Sequence, residues 1–222
     1  MLLAMAPLVS HLQALDFSCM ALEEGAVKEE LFYRDGEKFL PIKLRSQRRS
    51  LSYSVAVKEG FVGFYVKGPI SPEGIQTYTL VARGKVKTNS SRLLFLLAKR
   101  EGRKLPFGVL PVDDSLSAFP AASFRFINVT PHILAIKFGE QKFKIKSGGI
   151  ETIETNATSE SFLPIHMIDQ SLETIFKSSW YVNPRVRELV IIHPIVGNPT
   201  QKFGFKLVSG IAPKPSLNAK AL

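Results

Sequence analysis

The run Lys142-Phe143-Lys144-Ile145-Lys146 alternates charged and apolar residues at every step. A strand points successive side chains to opposite faces, so Phe143 and Ile145 share one face and three lysines share the other. The same period returns in Lys202-Phe203-Gly204-Phe205-Lys206-Leu207, in Ser123-Phe124-Arg125-Phe126 and in part of Leu51-Ser52-Tyr53-Ser54-Val55-Ala56-Val57. A helix would scatter both sets around its circumference. One apolar and one wet face is the signature of antiparallel sheets. It confines the chain to all-β architectures in which one sheet covers the apolar face of another.

Turn signals separate these runs. Asp35-Gly36, between Leu31-Phe32-Tyr33 and Phe39-Leu40, predicts a hairpin, because both residues tolerate positive φ. Glu59-Gly60, Glu101-Gly102, Gly139-Glu140, Gly148-Gly149 and Gly197-Asn198-Pro199 mark further bends. About fourteen strands are expected at this spacing. Leu93-Leu94-Phe95-Leu96-Leu97 reads as a strand buried on both faces, and Asp114 to Pro120 as one capped helical turn stopped by proline. The expected fold is an antiparallel β-sandwich arrangement of two adjoining immunoglobulin-like sandwiches, over residues 19–113 and 114–211. Residues 212–222 have no apolar pattern and read as a mobile tail. No internal repeat between the halves stands out, and one continuous large sandwich is the alternative.

The first fifteen residues, MLLAMAPLVSHLQAL, carry no Lys, Arg, Asp or Glu. They predict a signal-like apolar segment over residues 1–18, with Leu12-Gln13-Ala14 as a cleavage site, although the positive n-region is missing. A buried first strand or short helix is the other reading. No run of about 18 apolar residues is present, so no transmembrane helix is expected. Cys19 is the one cysteine; it can form no internal disulfide.

The formal net charge is +10. It attracts anionic partners, whether nucleic acid, anionic glycan or a phosphate-bearing membrane surface. The charge is evenly spread, with 17 Lys+Arg against 12 Asp+Glu in residues 1–115 and 12 against 7 in residues 116–222. A generally basic surface fits that spread better than a dedicated nucleic-acid footprint.

Few residues invite chemistry. His11, His132, His166 and His193 lie outside any zinc-protease or nucleophile-elbow pattern. Asp113 and Asp114 could hold a hard cation, but capping of the adjoining turn explains them better. Asn89, Asn128 and Asn156 open glycosylation sequons. The cluster Trp180-Tyr181 with Arg185 and Arg187 combines rings that stack on sugars with guanidiniums that pair with carboxylates or phosphates. Trp180 as core filling is the competing reading. The basic run Lys43 to Arg49 puts Arg45, Arg48 and Arg49 in a predicted turn, and Lys99 to Lys104 forms a second such run. These residues are the ligand-binding candidates; no catalytic residue, metal site or cofactor is expected.

Two stretches carry a resemblance: Pro111 to Pro120 running into Phe124-Arg125-Phe126-Ile127-Asn128-Val129-Thr130, and Trp180-Tyr181-Val182-Asn183-Pro184-Arg185-Val186-Arg187. Together they resemble a group of uncharacterised exported all-β proteins of verrucomicrobial-type bacteria, mainly over residues 105–192. The resemblance implies export and no established activity.

The function expected is that of a non-catalytic, exported module of the periplasm or cell envelope that binds a glycan or protein. The alternatives are a cytoplasmic polyanion or nucleic-acid binder acting through the basic runs, and a hydrolase in which His166 or His193 meets Asp169 in a pocket.

Overall fold

A computed structural model describes residues 14–23, 25–44, 48–57, 60–86, 90–195 and 203–211. The chain divides into two compact units, Met1–Asp114 and Ser115–Leu222. The N-terminal unit holds β1 (Ala14–Ala21), β2 (Leu31–Asp35), β3 (Lys38–Ile42), β4 (Tyr53–Ala56), β5 (Phe61–Ile70), β6 (Gln76–Lys85), β7 (Arg92–Lys99) and β8 (Phe107–Asp113). The C-terminal unit holds β9 (Ser123–Asn128), β10 (Leu134–Phe138), β11 (Gln141–Ile145), β12 (Ile150–Glu154), β13 (Ser161–Ile168), β14 (Thr174–Val182), β15 (Val186–Pro194) and β16 (Phe203–Ile211). No helix occurs among the described residues.

Each unit is a sandwich of two four-stranded sheets. In the N-terminal unit the strand orders are β4-β1-β7-β8 and β3-β2-β5-β6; in the C-terminal unit they are β12-β9-β15-β16 and β11-β10-β13-β14. Renumbered within its unit, each sandwich reads 4-1-7-8 over 3-2-5-6. The two halves therefore share one topology, strand for strand.

Aromatic rings from both sheets fill each core. Phe17 of β1 meets Tyr33 of β2 at 5.1 Å between ring centroids, and Phe64 of β5 meets Phe95 of β7 at 5.5 Å. In the C-terminal unit Phe124 of β9 meets Phe138 of β10 at 4.6 Å, and Trp180 of β14 lies 6.0 Å from both Phe124 and Phe126. Rings of this size span the space between sheets and prefer tilted or edge contacts. The cores keep their bulk while changing residues. At the fourth rung between first and seventh strands, Cys19 faces Phe95 in one unit and Phe126 faces Val190 in the other. Small beside large becomes large beside small, a swap that cores tolerate when total volume is kept.

The fold is all-β with two sandwiches, as the alternation predicts. Several details differ. There are sixteen strands among the described residues, eight per unit. The sheets are not purely antiparallel: β1 runs parallel to β7 and β9 parallel to β15. A parallel pair needs a long connection, and the five intervening strands supply it. The apolar segment drawn to residue 18 overlaps β1. Residues 14–18 belong to the sandwich, where Leu15 and Phe17 are core side chains; residues 1–13 and 212–222 lie outside the described residues. The hairpin turn is centred on Gly36-Glu37 and not on Asp35-Gly36, since Asp35 pairs with Lys38. Only Gly36 has positive φ (58°), the type II′ pattern, and Gly139 repeats it at 56° in the matching hairpin. β7 is buried on both faces, as its unbroken apolar run implies.

Candidate anion-binding face

The expected Trp-Tyr-Arg-Arg cluster does not form one surface. Strand alternation sends Trp180 toward the core and Tyr181 outward, where it is 46% exposed. Arg185 is exposed beyond the strand end, its backbone N–H donating to Asn183 Oδ1 at 2.9 Å. Arg187 is 3% exposed. It donates to the Phe119 carbonyl at 3.0 Å, and its guanidinium lies 5.0 Å from the Phe119 ring. Arg125 stacks on the same ring at 4.6 Å and donates to Thr152 Oγ1 at 2.8 Å. Arg187 is thus a fold element: it helps clamp the Ser115–Pro120 turn and is withdrawn from any ligand.

The N-terminal basic runs fare similarly. Arg45 lies outside the described residues, and Arg48 is exposed. Arg49 pairs with both carboxylate oxygens of buried Asp114, at 2.6 and 2.5 Å. Arg92 approaches the same carboxylate at 3.8 Å. Two arginines thus flank the Asp114 carboxylate. The hydroxyl of Ser115 caps the following turn by accepting from the Ala118 N–H at 3.3 Å. Lys99 pairs with Glu101 in the second basic run.

The histidines stand apart. The His166 ring bonds Thr174 Oγ1 at 2.8 Å, and His193 contacts the carbonyl of its neighbour Pro194 at 3.2 Å. They lie on different sheets, and the Asp169 carboxylate accepts turn N–H groups from Ser171 and Glu173. Neither hollow that His166 lines includes Asp169 or His193. His11 is outside the described residues. Asn128 is fully buried; its side chain donates to the His132 and Ile145 carbonyls and accepts from Thr130. The Asn128-Val129-Thr130 sequence is a buried polar staple and not a glycan acceptor. Asn89 lies outside the described residues; Asn156 lies between β12 and β13 with φ of 52°. Burial holds the Cys19 thiol well above its ordinary pKa, so it remains neutral and inert. Among the described residues no group of three or more His, Cys, Asp or Glu is placed to hold a metal.

What the structure does assemble is a row of basic side chains across the outer face of the sheet β11-β10-β13-β14. Lys142 pairs with Lys137, Lys137 with His166, and His166 with Lys177, one residue from each strand. Lys144 sits on the next rung, opposite Ala135. Strands lie about 4.8 Å apart, so neighbours in the row are well inside a Debye length of about 8 Å. Like charges directly opposite each other destabilise a sheet. None of these four lysines is among the ion pairs or cation–π contacts of the described residues.

Two adjacent hollows flank the row. One, of about 660 Å³, is lined by Ala135, Lys137, Lys142, Lys144, His166 and Ile168, with Ile136 and Phe143 beneath. The other, of about 490 Å³, is lined by Lys137, Pro164, His166, Lys177 and Ser179, with Ile165 and Ser178. Lys137 and His166 belong to both. Beyond the second hollow, Phe162 and Tyr181 are paired across β13 and β14 with ring centroids 5.6 Å apart, and Phe162 is 69% exposed. Hydrogen bonding to Glu160 pushes the Tyr181 phenol pKa up, and Glu160 also accepts from Asn183 at 3.2 Å.

The sequence singles out Tyr181 as a ligand-binding candidate but not Phe162, Lys137 or Lys177, which share its sheet face. The alternation of Lys142 and Lys144 was visible. Its neighbours across the sheet come from strands whose register no local pattern specifies.

Two sandwiches with this exposed cationic face define the class of protein: a tandem all-β chain. No protein-family model matches the sequence, and no characterised protein matches it. Among solved structures, the paired C2 domains of extended-synaptotagmin 2 align with 90% of this chain and 89% of theirs, at 9% identity and a TM-score of 0.23. That likeness is too loose to carry over structure or function. No helix of the described residues is long and apolar enough to cross a membrane.

Proposed function

We propose that this chain is a non-catalytic, exported binding module that holds an anionic partner of the cell envelope on the outer face of β11-β10-β13-β14. The cross-strand row Lys142, Lys137, His166, Lys177 carries this reading. Such a row repels itself in the free protein, and a bound polyanion relieves that repulsion. His166 and Asp169 are engaged with Thr174 and with turn amides, which supports binding over hydrolysis. The signal-like start supports export.

The test is retention on envelope fractions as salt is raised from about 50 to about 300 mM. The wild-type chain binds at low salt and is released at high salt. Lys137→Glu with Lys177→Glu lowers retention at least about tenfold, or 1.4 kcal/mol. Equal retention of that variant removes the face from the function. A wild-type chain that ignores envelope fractions sinks the envelope reading.

A further inference from the structure

We infer that the occupant of this face is an anionic polysaccharide, laid diagonally from the Phe162–Tyr181 pair across His166 and Lys137 to Lys142 and Lys144. The inference rests on the anion-binding reading above and names its ligand. Three observations select a sugar chain.

The first is shape. The two hollows meet at Lys137 and His166, which line both, so concave surface lies on either side of the basic row along one sheet face. An extended face of this kind fits a linear ligand. A bilayer instead needs apolar side chains spread over the face, and here the exposed rings are confined to the Phe162–Tyr181 pair at one end.

The second is the order of chemistry along the face. Its cationic end meets carboxylate or sulfate groups, while its other end offers two exposed rings on adjacent strands. Aromatic faces pack against the C–H face of a sugar ring. The third is Glu160 beside Tyr181. A carboxylate there accepts hydrogen bonds from the hydroxyls of a sugar ring stacked on Tyr181, hydroxyls that the deoxyribose units within oligo-dT lack.

The experiment titrates the full chain with polygalacturonate, with neutral dextran, with single-stranded oligo-dT and with phosphatidylglycerol vesicles. Polygalacturonate binds, and dextran binds at least about tenfold more weakly. Phe162→Ala with Tyr181→Ala weakens polygalacturonate binding about tenfold and leaves its salt slope unchanged, because stacking releases no counterions. Tyr181→Phe, which keeps the ring, retains most of the affinity. Lys137→Ala with Lys177→Ala weakens binding and flattens the salt slope by about 2. All four side chains are outward-facing, and Trp180 fluorescence confirms that each variant is folded. If the aromatic variant binds like wild type, or if oligo-dT or vesicles bind as tightly as polygalacturonate, the sugar assignment is overturned while the anion-binding face stands. If the lysine variant binds every probe like wild type, both fall.

Discussion

The two units share one topology and use the same sheet face in opposite ways. In the C-terminal unit the row is Lys142, Lys137, His166, Lys177. Carried along the matching register, the N-terminal row is Phe39, Arg34, Gly63, Arg83. There Arg34 pairs with Glu37 at 2.6 Å and Arg83 lies 4.7 Å over the Phe61 ring. Phe39 stacks on Tyr78 at 4.0 Å, and Gly63 leaves room for the Tyr65 side chain, whose hydroxyl a Cβ would meet at 2.7 Å. Both arginines of that row have partners, and rings cover the gaps. The C-terminal row sets its lysines side by side with no carboxylate paired to them among the described residues, at a cost in stability. A scaffold present twice, satisfied once and frustrated once, supports the proposal that binding belongs to the frustrated copy.

The comparison can be broken at several points. The largest effects come from the cores and their seams. Asp114→Ala leaves the Arg49 guanidinium largely buried without its carboxylate and destabilises the N-terminal unit by about 3–5 kcal/mol. Hydrogen exchange of β1 and β7 peptides reads that loss, and unchanged protection would show that the pair is dispensable. Phe126→Ala removes the large member of the Phe126–Val190 rung and costs the C-terminal unit about 3–5 kcal/mol. Trp180, the single tryptophan, reports this by a shifted urea midpoint. A shift under about 1 kcal/mol would mean that neighbouring rings refill the site.

The thiol at the Phe126-equivalent position gives the N-terminal unit a pH dependence that its twin lacks. Cys19 has its pKa raised on folding, so its contribution is intact at neutral pH and is lost as pH rises above about 9, where the unfolded thiol ionises. The loss is about 1.4 kcal/mol per pH unit. Thermal melts between about pH 8 and about pH 10 check it, because Cys19→Ala removes that slope. The smallest effect concerns the row itself. Lys142→Glu converts a like-charge pair with Lys137 into an attractive one and raises stability by about 0.2–1 kcal/mol while weakening polygalacturonate binding. Phe39→Glu at the matching position lowers stability, since it breaks the stack on Tyr78. Destabilisation by Lys142→Glu would remove the case for a frustrated face.

The strands were legible because two-residue alternation is local. Phe143 and Ile145 face the core while Lys142 and Lys144 face out, as the pattern requires. The pattern misled at Arg125, where strict alternation implies a wet side chain. Phe119 comes from outside the strand to cover it, which no strand period reveals. The repeat was hidden because topology constrains volume and not identity. The hairpins Leu31-Phe32-Tyr33-Arg34-Asp35-Gly36-Glu37 and Leu134-Ala135-Ile136-Lys137-Phe138-Gly139-Glu140 preserve the leucine, the basic residue and the Gly-Glu turn. That faint match was the available signal. The basic face is not legible locally, because its row joins four strands spread over residues 134–182.

The parallel pairing of first and seventh strands also sets the order in which the chain can assemble. β1 is made first in its unit, yet β7 appears roughly seventy residues later, and β9 waits almost as long for β15. The hairpins β2-β3 and β5-β6 close locally and early, while Phe17 and Phe124 have a strand on one side only until the last hairpin has passed. Closure of each sandwich is thus a late, long-range event, and synthesis of this chain passes through it twice.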